Sequence, residues 1–215
     1  MRKLKRIISF CTAAALTATL MLGGTSTNAA ADPRTEQNVT TATATLGKSL
    51  VSTGFESVEV GNVSGAVLTS KDGREAWLLD KSQGTNKASI NAILSEQFKH
   101  TKKDGSVYEI EVDYYDSGNG LLRLYYDSYT NTKKTAETVY TNKENKWKTL
   151  KVTLDDAEFA KKCDNKCDIS VSIAIQSISS IVGTESIAVS EIRVKRYAAK
   201  NPIYVTSSND EVGNA

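Results

Sequence analysis

Two tyrosine doublets carry the residue types best suited to chemistry. Tyr114-Tyr115 and Tyr125-Tyr126 each stand before Asp-Ser, so the unit YYDS occurs twice. On strands, alternation turns one ring of each doublet inward and the other outward. With Tyr114 and Tyr126 inward, Tyr115 and Tyr125 face out beside Arg123 and Asp113. Trp147, opposite in parity to Leu150 and Val152, points outward as well. Planar rings flanked by hydrogen-bonding groups suit the apolar faces and hydroxyls of a sugar. The same rings can instead stabilise cross-strand pairs or roof an edge of a sheet. Trp77, in the run Arg74-Glu-Ala-Trp-Leu-Leu, reads as core.

Other chemistry is thinner. Cys163 and Cys167 (CDNKC) are the only cysteines after Cys11. In an oxidising compartment they are expected to form a disulfide that pins this short loop; free thiols and a metal site are the alternatives. Calcium is the one cofactor the turns could serve, through Asp116, Asn119, Asp164, Asn165 and Asp168, although turn preference alone explains those residues. A Ser-His-Asp arrangement would have to use His100, the only histidine, which sits in the Lys-rich turn 99–105. No G-x-S-x-G elbow is present. No catalytic residue is assigned.

The elements that must position these residues read as short strands. Residues 106–115 alternate, with Tyr108, Ile110, Val112 and Tyr114 on one face and Glu109, Glu111, Asp113 and Tyr115 on the other. The turn 116–120 and the run 121–126 predict a hairpin that sets the two YYDS units side by side. Further strands are expected over 58–63, 65–69, 75–80, 89–94, 137–141, 147–154, 169–175 and 187–197. Residues 95–99 and 155–162 each suggest about one helical turn. Many short strands with turn signals between them indicate an all-β antiparallel sandwich or jelly roll.

The termini frame this body. Arg2, Lys3, Lys5 and Arg6 precede the apolar run 7–24, and Ala29 and Ala31 flank a cleavage point after Ala31, the pattern of a secretory signal peptide over residues 1–31. Removing it leaves 23 Lys and Arg against 25 Asp and Glu, so the formal charge of +2 becomes mildly negative. That balance argues against nucleic acid or an anionic membrane as partner. The expected product is secreted, with no membrane attachment after cleavage. Residues 32–48 are polar and Thr-rich and read as a disordered leader. Residues 49–198 form the folded domain, and 199–215 a polar tail.

The series DGREAW (72–77), VDYYDSGNGLLRLYYDS (112–128), NKWKTLKVTLDDAEFAKK (145–162), DISVSIA (168–174) and IAVSEIRVKR (187–196) resembles the galactose-binding-like jelly-roll modules of bacterial secreted polysaccharide-degrading enzymes. In those modules a YYD-x-G-x-G hairpin is followed by Y-D, a W-K-T strand, a D-A-x-F turn and a D-[FI] strand. The resemblance covers residues 50–197. It departs at Cys163–Cys167, where the modules carry Asn and Gly. The tail IYVTSSNDEVGN (203–214) resembles the first strand of a further β-sandwich domain, which implies a downstream domain as a partner.

The resemblance implies a non-catalytic carbohydrate-binding accessory module of a glycoside hydrolase or cell-surface protein, with a polysaccharide or oligosaccharide as ligand. The expected contacts are Tyr115, Tyr125, Trp147, Arg123 and Asp113. A structural spacer without a small ligand, and a small jelly-roll hydrolase or lyase, are the competing readings.

Overall fold

The computed structural model describes residues 39–61, 66–80, 88–99, 105–117, 120–174 and 186–198. The expected signal peptide, His100, Asn119 and the tail lie outside the described residues.

Among the described residues twelve strands run β1 Val39–Thr45, β2 Val51–Thr53, β3 Phe55–Val60, β4 Val67–Lys71, β5 Arg74–Asp80, β6 Ser89–Leu94, β7 Val107–Tyr115, β8 Leu121–Tyr126, β9 Lys134–Tyr140, β10 Trp147–Leu154, β11 Ile169–Ala174 and β12 Ser186–Tyr197. They form two antiparallel sheets packed as a jelly-roll sandwich. Sheet A has the order β10-β7-β12-β1-β2, and β5 pairs with the first part of β12 and carries β4. Sheet B has the order β3-β6-β11-β8-β9.

The sandwich closes because one parity of nearly every strand is apolar. Tyr108, Ile110, Val112 and Tyr114 of β7 meet Leu122, Leu124 and Tyr126 of β8, Ile169, Val171 and Ile173 of β11, and Ile187, Val189, Ile192 and Val194 of β12 in one core. Burial of such side chains contributes about 1.5–3 kcal/mol each. β12 is the long central strand of sheet A. A bulge between Val189 and Glu191 lets it keep its apolar face inward beside β7 as its other flank changes from β5 to β1.

Three expectations change here. β7 and β8 are not a hairpin. β7 pairs with β10 and β12 in sheet A, whereas β8 pairs with β11 and β9 in sheet B. The connection after Tyr115 therefore crosses from one sheet to the other. Asp116 directs the crossing from a fully buried position. Its carboxylate accepts the Asn142 and Lys143 N–H groups at 2.9 and 3.1 Å and the Lys148 ammonium at 2.7 Å.

The Thr-rich segment read as a disordered leader is strand β1 from Val39. Thr41, Thr43 and Thr45 alternate with Ala42 and Ala44, which have no exposed surface, as does Leu46. Small inward residues are required because β2 and β3 turn tightly beneath them. At Gly54 (φ +74°) a Cβ would lie 2.6 Å from the Ala42 Cβ.

Residues 95–99 make one turn, with the Phe98 and Lys99 N–H groups both bonded to the Ser95 carbonyl. Residues 155–162 do not form the expected helical turn. Phe159 and Lys161 have positive φ, and the chain wraps two buried carboxylates. Asp127 accepts the Ala160 and Lys162 N–H groups, and Asp168 accepts that of Lys161. Those bonds outweigh local helix preference.

Candidate functional site

The outward parity of sheet A is largely closed by its own side chains. Four cations, Arg74, Lys151, Arg193 and Lys195, interlock with four carboxylates, Glu109, Glu111, Asp113 and Glu191. Register explains the grid. Glu111 stands opposite Arg193 and Lys151, and Glu109 opposite Lys195. Asp113 stands opposite Glu191, a like-charge pair that is neutralised by Arg74 and Arg193 from either side. The Thr149 hydroxyl donates to Asp113 at 2.7 Å. Burial alone would raise the Glu111 carboxyl, but Arg193, Lys151 and Lys195 prevail and hold it at about 2.

At one end of this grid lies an aromatic pair. Trp147 stands opposite Tyr115 in register, with ring centroids 5.4 Å apart in an edge arrangement. The β4–β5 hairpin, turned by Asp72 and Gly73 at positive φ, reaches this pair. Arg74 lies 4.6 Å from the Trp147 ring centre and Lys71 5.7 Å from that of Tyr115. The Trp147 indole N–H donates to the Lys71 carbonyl at 3.2 Å, and the Tyr115 hydroxyl to the Asn145 carbonyl at 2.8 Å. Tyr115 points outward as expected, but it is 7% exposed, packed with Ala76 and Ala188. Both polar tips are engaged and the ring faces carry cations.

Sheet B presents a different surface. Its inward residues are Ile, Leu, Val and Ala with Tyr126, and its outward ones are mostly polar. One row across the strands reads Glu59, Asn91, Ser170, Tyr125, Thr135, and the next Ser89, Ser172, Arg123, Thr138. Ser170 donates to Asn91 at 2.9 Å, and the Ser170 and Ser172 hydroxyls lie 3.4 Å apart. The Arg123 guanidinium donates to the Tyr125 hydroxyl at 3.4 Å. Both side chains are half-buried. The Lys133 ammonium, itself paired with Asp164, stands 4.7 Å from the Tyr125 ring centre. Tyr140, across from Leu121 at the β9 edge, is 62% exposed.

The five expected contact residues are therefore split. Asp113, Tyr115 and Trp147 share the outer face of sheet A; Arg123 and Tyr125 share that of sheet B. Sequence reasoning missed Asn91, Ser170, Ser172, Thr138 and Tyr140. The signal was present in SINAIL and ISVSIA, where Ser and Asn alternate with Ile, Val and Ala as outward residues on buried-face strands.

The expected disulfide is absent: Cys163 and Cys167 are free, buried thiols. Each faces a carbonyl, Cys163 that of Asp168 at 3.8 Å and Cys167 that of Asp164 at 3.1 Å. Backbone bonds already close the loop, from the Cys163 N–H to the Cys167 carbonyl and from the Lys166 N–H to the Cys163 carbonyl. The neighbouring Cys167 thiol and burial push the Cys163 thiol up.

The calcium set does not assemble either. Among the described residues no group of three His, Cys, Asp or Glu side chains could hold a metal ion. Asp116 is filled by backbone N–H groups and Lys148, Asp164 pairs with Lys133, and Asp168 binds Lys99 at 2.8 Å along with the Leu94 and Lys161 N–H groups. Asp127, fully buried beside Asp168, leaves Oδ1 without a partner, and burial raises its carboxyl to about 6.

No protein-family model matches the chain, and no curated protein matches it. Solved structures of carbohydrate-binding modules are similar to it. A family 29 carbohydrate-binding module is 13% identical, with a TM-score of 0.40, covering 74% of this chain and 90% of that one. A variant of such a module complexed with cellulohexaose is 12% identical, with a TM-score of 0.41, over 73% of this chain and 91% of that one. A module named BiXyn10A CBM1 is 11% identical, with a TM-score of 0.29, over 66% and 98%.

Proposed function

We propose that the protein is a secreted, non-catalytic carbohydrate-binding module, accessory to a polysaccharide-degrading or cell-surface protein, and that it holds glycan along the outer face of sheet B. One observation carries this reading. The two outer rows of sheet B offer hydroxyls, an amide, a guanidinium and a tyrosine whose bonding capacity is not consumed by ion pairs within the face. A sugar asks for alternating donors and acceptors beside a planar apolar surface. Tyr125 and the exposed Tyr140 supply the rings; Arg123, Ser172 and Thr138 supply the polar contacts, and the buried, mutually bonded Asn91 and Ser170 lie behind them. On sheet A, Tyr115, Trp147 and Asp113 serve the fold.

Affinity electrophoresis against soluble polysaccharides, neutral and acidic, tests the reading. Tyr125→Ala is expected to lower affinity for the retarding polysaccharide at least about tenfold, as loss of a central aromatic anchor does. Its melting temperature should stay near that of the parent. Retardation by no polysaccharide, or equal retardation of parent and Tyr125→Ala, contradicts the reading. Secretion is checked separately, by sequencing the amino terminus of the exported protein for a start at Asp32.

A further inference from the structure

We infer that the glycan taken by the outer face of sheet B is acidic, and that Arg123 receives the carboxylate of a uronate residue. This rests on the glycan-binding reading above and adds the charge class of the ligand.

Four arginines stand among the described residues. Arg74 and Arg193 are held by carboxylates of the sheet A grid, and Arg196 donates to the Phe98 carbonyl at 2.9 Å and stands over the Phe98 ring. Among the described residues Arg123 has one partner, the Tyr125 hydroxyl at 3.4 Å. Its neighbours on the sheet are neutral: Ser172 on β11, Thr138 on β9, and Leu121 and Tyr125 along β8. Glu137, next to Thr138, turns its carboxylate to the Thr138 N–H at 2.9 Å. Glu59 lies in the adjoining row beyond Asn91 and Ser170, three strand spacings from Tyr125, or roughly 14 Å.

A half-buried guanidinium always keeps its charge and offers five N–H donors in a planar fork. Here one donor is engaged, and the register neighbours Ser172 and Thr138 are hydroxyls that add no negative charge. A flat, two-oxygen anion fits that fork in a bidentate manner. Lys133, 4.7 Å from the Tyr125 ring centre, is already paired with Asp164, so among the described residues Arg123 is the uncompensated cation of this face. A carboxylate carried on a sugar ring satisfies both parts of the face at once. Its hydroxyls meet Ser172 and Thr138, and its charge meets Arg123. A wholly neutral glycan would leave the guanidinium charge uncompensated under the ligand, which is the costlier arrangement.

The test is titration calorimetry with polygalacturonate and its fully methyl-esterified form, which share a backbone and differ in charge. Polygalacturonate is expected to bind at least about tenfold more tightly than the ester, consistent with one charge-assisted bidentate contact. Arg123→Gln should abolish that difference, and Arg123→Lys should retain part of it. Raising salt from about 0.05 to about 0.5 M should weaken the acidic polymer and leave the ester unchanged. Unchanged thermal unfolding of Arg123→Gln checks that the fold is intact.

Equal binding of acid and ester, or polygalacturonate binding that survives Arg123→Gln, overturns the acidic assignment while the glycan-binding reading stands. Tighter binding of dextran sulfate than of polygalacturonate overturns the uronate assignment. Failure of every polymer, cellohexaose and mannohexaose included, overturns both.

Discussion

The two outer faces of this sandwich solve the same problem in opposite ways. Sheet A carries eight charged side chains in a neutral grid and two aromatic rings whose polar tips are bonded to backbone carbonyls. Sheet B carries serines, an asparagine, threonines and tyrosines, with a single guanidinium that meets no carboxylate within the face. A face that completes its own pairs has little left to offer a ligand, however aromatic it looks. A face that leaves donors and acceptors half-used can exchange them with a hydroxyl-rich partner at low desolvation cost.

Buried carboxylates set the yardstick for a structural loss against which the two faces can be compared. Asp168→Ala removes the buried carboxylate paired with Lys99, whose side chain is 4% exposed, together with the bonds from the Leu94 and Lys161 N–H groups. A loss of about 3–5 kcal/mol is expected in urea unfolding, as for a buried pair deprived of one member. Trp147→Ala follows. It strips the edge contact with Tyr115, the bond to the Lys71 carbonyl and the platform under Arg74. About 2–3 kcal/mol should go, with glycan affinity of the folded protein unchanged. Loss of affinity without loss of stability would move the site to sheet A.

Arg193→Gln sharpens the contrast through pH. Glu111 sits near 2 in the folded chain against an ordinary value of 4.5. A depressed acid contributes stability above its unfolded value, and that contribution is lost as pH falls through the folded value. The parent should therefore lose stability between about pH 4.5 and 2, measured by thermal melts. Arg193→Gln should be weaker by about 1–2 kcal/mol at pH 7 and show a shallower acid loss. Arg123→Gln, in the same melts, should overlay the parent.

Asp127→Asn gives the smallest effect, with the opposite sign. The Asp127 carboxyl rises from 3.8 to about 6, so its contribution favours folding at low pH and fades as pH rises through 6. The amide keeps an acceptor for the Ala160 and Lys162 N–H groups without the charge. The variant should melt above the parent at pH 8, and the two should converge as pH falls below about 3.8. A lower melting temperature at pH 8 would show that the ionised carboxylate is stabilising.

Much of the fold was legible in the residues. The alternation in 106–115 placed Tyr108, Ile110, Val112 and Tyr114 in the core, and β6, β8 and β10 fall where their patterns put them. The sheet assignment of β8 was not legible. A glycine-rich turn between two strands looks the same whether the chain doubles back or crosses to the facing sheet, and the deciding bonds come from residues 142–148, far along the chain. The TATAT run of β1 was hidden because alanine is too small to register as apolar periodicity, although it is the size the Gly54 crossing demands. At the site, parity correctly turned Tyr115, Tyr125 and Trp147 outward. It could not show that a hairpin from residues 71–74 reaches two of them and not the third.

Ligand is expected on sheet B and not on the aromatic pair of sheet A, and amide and indole shift mapping by nuclear magnetic resonance separates the two faces. Titration with oligogalacturonate should move Arg123, Tyr125, Thr138, Ser170 and Ser172 together, with the Trp147 indole N–H still. Shifts centred on Trp147 and Tyr115, with β8 and β11 unmoved, would contradict the account.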